Sequence, residues 1–268
     1  MTPSLELRRH LKLEGTKNVR DIGGFETVDG RTTRWKTLLR SDCLSALSPK
    51  SQEFLINYGL RTAIDLRVDS EVSNSPNVFE NSSKVKYHHH DMIGSDDLRE
   101  TGENLQGPRE EIQLAMERQA EAEGRESIAL SYCLWIDYRR DKMRDILALL
   151  ATPGVLPALY HCAAGKDRTG ILTALVLGLA GVPFEKIVED YTRTAFYILL
   201  HNPDEEASSE SVPSESAWRE RAEETCAPSI MVTMLDHIKE RYGGIESYVL
   251  NIGVTPGQIE SIREAFVE

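Results

Sequence analysis

The stretch "VLPALYHCAAGKDRTGILTALVLGLAG" (residues 155–181) decides the fold, because it joins two apolar segments through a short polar turn. Proline is tolerated only at the start or edge of a strand, so we predict a buried strand that begins after Pro157 and ends at His161. Thr169–Ala180 is apolar on nearly all sides, which predicts a buried helix that Gly181 ends. The sequence therefore predicts a strand–loop–helix unit at this point.

Further predicted elements lie on both sides of this unit. The segments "RTAIDLR" (residues 61–67) and "KVKYHHHDM" (residues 84–92) are predicted strands. Four more helices are predicted, over Phe184–Leu200, Pro228–Tyr242, Ile245–Asn251 and Thr255–Phe266, the last with Thr255 as its N-cap. Strands that alternate with helices indicate a layered α/β domain whose sheet is covered on both faces.

Two polar segments interrupt this pattern. Residues 94–125 are rich in Glu and Arg and include a possible amphipathic helix over Pro108–Glu123, while residues 203–224 are acidic and rich in Ser. Long polar insertions in a compact domain are often lids or solvated loops, and the sequence leaves both alternatives open. We expect one domain over residues 1–268 with helical or disordered insertions.

The composition is that of a water-soluble globular protein. The chain has 268 residues, of which 40% are hydrophobic and 28% charged, and its formal net charge is -12. This charge argues against general nucleic-acid binding, which requires a basic face. No apolar run reaches the length of a membrane span, and the N-terminus lacks the apolar core of a signal peptide, so we expect a cytoplasmic protein.

The four cysteines are scattered along the chain, at Cys43, Cys133, Cys162 and Cys226. No paired spacing occurs among them, which favours reduced thiols over a disulfide framework or a zinc site. We therefore expect no metal ion bound by these cysteines.

The loop between the central strand and helix has the composition of an anion site. Five residues separate Cys162 from Arg168, and the loop leads into a helix N-terminus, where unpaired amides and the helix dipole favour negative charge. The small residues Ala163, Ala164 and Gly165 allow the backbone to curl tightly, so that the loop forms a nest for a tetrahedral oxyanion.

The side chains of the loop add a nucleophile and a cation. Helix amides and nearby cations favour the thiolate, so we expect Cys162 to be ionised at neutral pH. Arg168 offers a planar fork for two phosphate oxygens and stabilises a transition state with charge on them. Thr169 is expected to donate its hydroxyl to the sulfur, and His161 to orient the loop through ring hydrogen bonds. This set predicts attack on phosphorus through a phosphocysteine intermediate.

"HCAAGKDRTG" (residues 161–170) resembles the signature loop of the cysteine-dependent tyrosine and dual-specificity phosphatases. It is most similar to the branch of atypical tyrosine phosphatases of bacteria and fungi, whose loop has the pattern HCxxGKDRT. Other segments agree: "NVRDIGG" (residues 18–24), "LLRSDCLSALS" (38–48), "LRTAIDLRVDSEV" (60–72) and the C-terminal "YGGIESYVLNIGVTPGQIESIREAF". The resemblance implies a central, mainly parallel sheet flanked by helices, and hydrolysis without a metal or organic cofactor.

The resemblance also implies site roles and substrates. Cys162 takes the place of the nucleophile, Arg168 that of the phosphate clamp, and residues 163–167 that of the amide cradle. Lys166 and Asp167 are the pair that marks this branch, and a lysine at this position is shared with phosphoinositide phosphatases. Phosphotyrosine proteins are the first expected partners, with phosphoserine and phosphothreonine as further substrates; phosphoinositide head groups are the alternative, with Lys166 as a second cation or merely a solvated lysine at the rim.

The general acid is the least defined part of the predicted site. Ordinary tyrosine phosphatases place it in a Trp-Pro-Asp loop, and this chain has no such tripeptide. Asp91, at the end of the "KYHHHD" segment, is the first candidate, because dual-specificity phosphatases have their acid at the end of a strand in a comparable region. Asp167 inside the loop is the rival, followed by Asp96 and Asp97.

Several other charged residues are interpreted as structural. His88 and His90 lie on one face of a predicted strand, which allows two metal ligands but supplies no third. Asp65, Arg67 and Glu71 are interpreted as a buried ion-pair arrangement at a strand end. Arg20 and Asp21 receive the same interpretation, and Arg40 is a further cation that the sequence does not place.

Two other functions remain open from the sequence alone. A catalytically inactive phosphate-binding module would use the same loop, although inactive relatives usually lose one of Cys162, Arg168 and Thr169. A rhodanese-like or arsenate-reducing enzyme also attacks with a loop cysteine, but the tail of residues 165–170 disfavours it.

Overall fold

A five-stranded sheet organises the computed structural model, which describes residues 5–94, 107–200 and 213–268. The strands are β1 (Arg20–Asp21), β2 (Leu38–Ser41), β3 (Thr62–Asp65), β4 (Lys86–His89) and β5 (Ala158–His161). Their order across the sheet is β1-β2-β5-β3-β4, with β1 antiparallel to β2 and every other neighbouring pair parallel. The predicted α/β architecture with a mainly parallel sheet is confirmed.

The register brings the carboxyl ends of the four parallel strands to one level. His161 lies opposite Ser41 on one side and Asp65 on the other, and Asp65 lies opposite His89. The loops that follow these four strands therefore lie at one edge of the sheet, which is the edge where ligands of open parallel sheets bind. The loop that starts at Cys162 is in the middle of that edge.

Helices cover both faces of the sheet within the described residues. The bounds in the first half of the chain are α1 (Leu5–Arg9), α2 (Pro49–Tyr58), α3 (Asp69–Asn74), α4 (Arg109–Glu121), α5 (Gly124–Tyr138) and α6 (Arg140–Leu150). Those in the second half are α7 (Asp167–Leu179), α8 (Phe184–Thr192), α9 (Thr194–Leu199), α10 (Glu215–Thr225), α11 (Pro228–Tyr242), α12 (Ile245–Asn251) and α13 (Pro256–Phe266).

Alternation along the strands divides the apolar side chains between two cores. Leu38, Ile64 and Tyr160 face the larger core, which contains α7. Their neighbours on the same strands, Leu39, Ala63 and Leu159, face a smaller core on the other side of the sheet. Nearly every side chain of α7 is buried, as its uniformly apolar sequence predicts. This central helix fixes the end of the Cys162 loop against the sheet.

Most predicted elements are present, but one helix is divided. β3, β4 and β5 lie within the predicted segments, α11 and α12 have the predicted bounds, and Thr255 caps α13. The predicted helix over Phe184–Leu200 is instead two helices, α8 and α9, that meet at Arg193. Near the division, Thr192 Oγ1 donates to the carbonyl of Val188, one turn earlier.

The described parts of the two predicted insertions are helical. α4 packs on α5 through the cluster of Ile112, Leu134 and Tyr138. In the second insertion, the Trp218 ring of α10 meets the Phe196 ring of α9 edge to face, with 6.5 Å between centroids. Residues 95–106 and 201–212 lie outside the described residues. The lid role of either insertion stays a prediction.

Candidate active site

The Cys162 loop (residues 162–168) is held from behind by its carbonyl oxygens. The Ala163 carbonyl accepts from the Cys43 amide at 3.0 Å. Asn18 Nδ2 donates to the next two carbonyls, at 3.2 and 3.1 Å, and Arg40 Nη2 donates to the Gly165 carbonyl at 2.7 Å. Three successive carbonyls therefore point out of the loop and toward the body of the protein.

The amides of the loop consequently point to the other side. In a trans peptide the N–H is opposite the C=O, so the amides of residues 164–166 face away from Asn18 and Arg40. No acceptor for the amides of residues 163–169 is recorded among the described residues. Gly165 makes the turn possible, because its φ is +66° and a Cβ atom there would lie 2.5 Å from the Ser41 carbonyl oxygen. The described residues therefore leave these amides without a protein acceptor, and their role as a cradle for an oxyanion stays a prediction.

Cys162 is at the junction between β5 and this loop. Its side chain is buried, with 1% exposure, while Ala163 and Ala164 beside it are exposed. The thiol thus lies beneath an exposed part of the loop, between the end of β5 and the N-terminal end of α7. Unpaired amides and the dipole of that helix both favour a negative charge there.

Arg168 is oriented by a carboxylate that the sequence reasoning assigned elsewhere. Its Nη1 and Nη2 donate to the two oxygens of Glu71 at 2.5 and 2.9 Å. The hydrogen bonds from Arg168 lower the pKa of Glu71 despite its partial burial. The interpretation of Glu71 as part of the Asp65–Arg67 ion pair was therefore wrong for its side chain, because α3 turns the carboxylate toward the loop.

His161 anchors the start of the loop by hydrogen bonds on both ring nitrogens. Asn77 Oδ1 accepts from the Phe79 amide, which turns its Nδ2 toward His161 Nε2, 2.7 Å away. The other nitrogen, Nδ1, then donates to the Cys162 carbonyl at 3.1 Å. Burial lowers the pKa of His161, although Asp65 nearby works against this. A neutral ring fits both contacts.

Thr169 does not make the contact predicted for it. Its hydroxyl oxygen is buried and has no hydrogen-bond partner among the described residues, so the expected bond to the Cys162 sulfur is absent in this structure. The residue lies in the first turn of α7, whose backbone directs the side chain inward.

Lys166 and Asp167 face helices rather than open solvent. Lys166 Nζ donates to the Thr225 carbonyl at the end of α10, at 3.0 Å, and lies 3.4 Å from Asp167 Oδ1. That same oxygen accepts a 2.6 Å hydrogen bond from the Tyr132 hydroxyl of α5. The two residues that mark this loop thus connect it to α5 and α10.

Asp91 follows β4 at the same sheet edge as the loop. Its Oδ1 accepts from the amides of Ile93 and Gly94, at 3.2 and 2.8 Å. Burial raises the pKa of Asp91, and Asp69 adds to the increase. No hydrogen bond joins this carboxyl to the Cys162 loop among the described residues. The other candidates, Asp96 and Asp97, lie outside the described residues.

The remaining predicted residues take structural positions. Arg67 Nη2 and Asp65 Oδ2 form a buried ion pair at 2.6 Å. Asp21 accepts from the Gly23 and Lys36 amides, and the rings of His88 and His90 stack 6.3 Å apart at the edge of the sheet. In the part of the chain that the structure describes, no group of three or more His, Cys, Asp or Glu side chains is placed to hold a metal ion.

Sequence reasoning missed several residues that position the loop. Asn18, Asn77 and Asp190 come from three distant segments, and Arg40 had no assigned place. Asn18 and Arg40 do lie in "NVRDIGG" and "LLRSDCLSALS", two of the segments that carry the family resemblance. That coincidence was the available signal; nothing comparable indicates Asn77 or Asp190.

Comparison with known proteins agrees with this geometry. A family model described as "Tyrosine phosphatase family" matches residues 11–268. The chain belongs to the tyrosine phosphatase family. It is 24% identical over 229 residues to a tyrosine-protein phosphatase of Nostoc commune, covering 84% of this chain and 72% of the relative. It is also 24% identical over 273 residues to the triple specificity protein phosphatase PtpB of Mycobacterium tuberculosis, covering 94% and 97%.

Family membership makes the chain a phosphatase of the protein-tyrosine class, and therefore a hydrolase. The matched range includes the sheet, α7 and the Cys162 loop of the phosphatase. Among the described residues, none of its helices combines the length and the apolar character that a bilayer crossing requires.

Proposed function

We propose that this phosphatase hydrolyses phosphotyrosine in proteins, and also phosphoserine and phosphothreonine, through a phosphocysteine intermediate. The observation that carries the proposal is the outward turn of three successive loop carbonyls, which leaves the amides around Cys162 free for an oxyanion. Arg168 completes the cradle with a planar fork that matches two phosphate oxygens.

The first step transfers the phosphoryl group to sulfur. The Cys162 thiolate attacks phosphorus, a P–S bond forms, and the P–O bond to the tyrosine side chain breaks. The leaving phenolate takes a proton from an acid, for which we propose Asp91, because its raised pKa keeps more of the carboxyl protonated than usual. Asp167 is the weaker candidate, since Oδ1 already accepts from Tyr132.

The second step releases phosphate. A water molecule attacks the phosphocysteine, the P–S bond breaks, and the electron pair returns to sulfur while the carboxylate formed in the first step takes a proton from the water. The loop amides and Arg168 stabilise the charge on the phosphoryl oxygens in both steps. The Glu71 carboxylate holds the guanidinium plane, so that little reorganisation is needed when the substrate enters.

The choice of substrate is tested by comparing substrate classes directly. Phosphate release from a phosphotyrosine peptide, a phosphoserine peptide and a phosphoinositide in mixed micelles is measured at equal enzyme concentration. We expect the phosphotyrosine peptide to have the largest kcat/KM. The engagement of Lys166 Nζ by the Thr225 carbonyl and by Asp167 supports this order, because both contacts compete with a second phosphate for the ammonium. A larger kcat/KM for the phosphoinositide would reverse the assignment.

The Asp91→Asn variant tests the proposed acid. A poor leaving group such as a phosphotyrosine phenolate needs the proton, whereas a good one such as the phenolate of a dinitrophenyl phosphate does not. We therefore expect kcat to fall by about 10²-fold on the phosphotyrosine peptide and by less than about threefold on the activated ester.

The pH profile supplies a second readout for Asp91. Because an acid works only while protonated, a raised pKa keeps activity on the poor leaving group to higher pH, and activity declines as the carboxyl ionises. This decline should vanish in Asp91→Asn. Asp145→Asn, at an exposed ion pair with Arg144, is the control. An equal loss of kcat on the substrates with the good and the poor leaving group would show that Asp91 is not the general acid.

A further inference from the structure

Two buried arginines share one carboxylate behind the Cys162 loop. Arg20 and Arg40 have 0% exposure and Asp190 has 5%. Arg20 Nε lies 3.1 Å from Asp190 Oδ1, and Arg40 Nη1 lies 2.5 Å from Asp190 Oδ2. We call these three residues the arginine cluster. They come from β1, β2 and α8, so only the folded chain brings them together.

Each arginine of the cluster is connected to the back of the loop. Arg40 donates directly to the Gly165 carbonyl, at 2.7 Å. Arg20 donates to Asn18 Oδ1, and the amide nitrogen of Asn18 donates to the carbonyls of Ala164 and Gly165. A continuous set of hydrogen bonds thus runs from Asp190 through both arginines to the outward carbonyls.

The arginine cluster has one more positive than negative charge. Burial acts to raise the pKa of Asp190, but Arg20 and Arg40 lower it to about 2, so the carboxylate is ionised. Among the described residues, no second carboxylate pairs with either arginine. Buried charges are normally paired, because an uncompensated one is costly to desolvate. The surplus charge lies against the face of the loop opposite its free amides.

A cation that bonds to a peptide carbonyl also strengthens the donor at the other end of that peptide. Arg40 withdraws charge from the Gly165 carbonyl, which makes the Lys166 amide a better donor into the cradle. Hydrogen bonds in a chain polarise one another in this way when they are shielded from water.

We propose that the arginine cluster is a positioning element of the phosphate site, which turns the loop amides inward and supplies surplus positive charge to the thiolate and the bound phosphoryl group. This inference rests on the proposed function. It assigns to Asn18, Arg20, Arg40 and Asp190 a role in the binding of every phosphate ester. Lys166, by contrast, was considered only as a second cation for phosphoinositide head groups. None of the four is a catalytic residue, because they reach the substrate only through the loop backbone.

Other charged groups also lie near the loop or the arginine cluster, and the test must separate them from the cluster. They are Arg168 with Glu71, His161 with Asp65, the pair of Lys166 and Asp167, Asp42, which accepts from the Asn18 amide, and Arg9, whose charge acts on Asp190. The variants below leave all of these in place, so that a change in the behaviour of the thiol reports the cluster.

Two isosteric substitutions, one in the arginine cluster and one at its hydrogen-bond partner Asn18, change the local charge in opposite directions. Asn18→Asp adds a negative charge and cancels the surplus, while Asp190→Asn removes a negative charge and doubles it. The rate of Cys162 alkylation by iodoacetamide is followed against pH by mass spectrometry of the peptide that contains it, with and without vanadate. We expect the midpoint to move up by about one pH unit in Asn18→Asp and down by a similar amount in Asp190→Asn.

A purely structural role predicts a different result. If the four residues only held the loop in shape, both substitutions would loosen it and move the midpoint in the same direction, or leave it unmoved; either result overturns the proposal. Arg40→Lys covers the case in which Asp190→Asn does not fold, as judged by circular dichroism and Tm. It keeps the charge, so we expect an unmoved midpoint with about tenfold weaker vanadate protection. A rise in midpoint equal to that of Asn18→Asp overturns the charge argument.

A charge control and the wild-type chain complete the experiment. Asp29→Asn removes a negative charge far from the loop. Its neighbour Val28 donates to the Gly181 carbonyl, just past the C-terminal end of α7, and the length of this helix puts that end about 20 Å from the loop. It should leave the midpoint unmoved; a shift like that of Asp190→Asn overturns the local assignment. The proposed function fails separately, if the wild-type thiol behaves like an ordinary one with a pKa of about 8.5 and vanadate gives no protection.

Discussion

Replacing Cys162 by serine is expected to lower kcat for para-nitrophenyl phosphate by at least about 10⁴-fold. A serine hydroxyl at the same place is not ionised near neutral pH, and neither the helix dipole nor Arg168 is strong enough to make it so. The substitution removes one buried sulfur and leaves the outward carbonyls of the loop untouched. Initial rates over a range of substrate concentrations measure the loss.

Cys133→Ser is the matched control for this variant. Cys133 is also buried, on α5, and burial raises the pKa of its thiol to about 12, so it is not a nucleophile. We expect its kcat to stay within about threefold of wild type, since no hydrogen bond joins Cys133 to the loop in the part of the chain that the structure describes. Activity of Cys162→Ser within tenfold of wild type would refute the covalent mechanism, and absence of turnover in the wild type would support the inactive phosphate-binding module instead.

Arg168→Lys is expected to reduce kcat/KM by about 10³-fold. Lysine keeps the positive charge but has a point charge in place of a planar fork, so it cannot hold two phosphoryl oxygens and Glu71 at once. The loss should divide between kcat and KM, because the fork contacts the phosphoryl group in the ground state and in the transition state. Steady-state kinetics on the phosphotyrosine peptide measure both parameters.

Arg263→Lys provides the comparison for the arginine substitution. Arg263 also contacts a carboxylate, Glu246, and donates to the Leu179 carbonyl at the opposite end of α7. This change should cost little activity, because the ion pair is remote from Cys162. If both substitutions reduce kcat/KM alike, the effect of Arg168→Lys is one of folding and the clamp assignment is wrong.

The central strand–loop–helix unit was predictable because its information is local. An apolar strand, small residues in the turn and an apolar helix are all visible within residues 155–181, and β5 and α7 follow them closely. The positions of Cys162 and Arg168 on the loop follow from the same stretch. By contrast, α5 and α6 were not predicted, although both contain regularly spaced apolar residues that pack into the larger core.

The contacts of the predicted site residues required the tertiary structure. Lys166 was expected as a second cation for the substrate or as a solvated lysine at the rim, and its ammonium donates to the Thr225 carbonyl at the end of α10. The Thr169 hydroxyl is buried without a partner among the described residues. Sequence spacing gives the order of side chains along the loop but not their directions, because these depend on which helices pack beside it. For the same reason, the position of Glu71 in the chain did not show that its carboxylate contacts Arg168.

The sequence by itself determined the α/β architecture and the places of Cys162 and Arg168 on the loop between β5 and α7, because this information is local. The tertiary structure decided which residues contact them: Glu71 on Arg168, Asn77 on His161, and Asn18 with the arginine cluster on the loop carbonyls. The physical reason is that the parallel strands end at one edge, where residues as distant in the chain as Asn18 and Gly165, 147 positions apart, become hydrogen-bond partners. No local sequence pattern indicates which distant residues will form these hydrogen bonds.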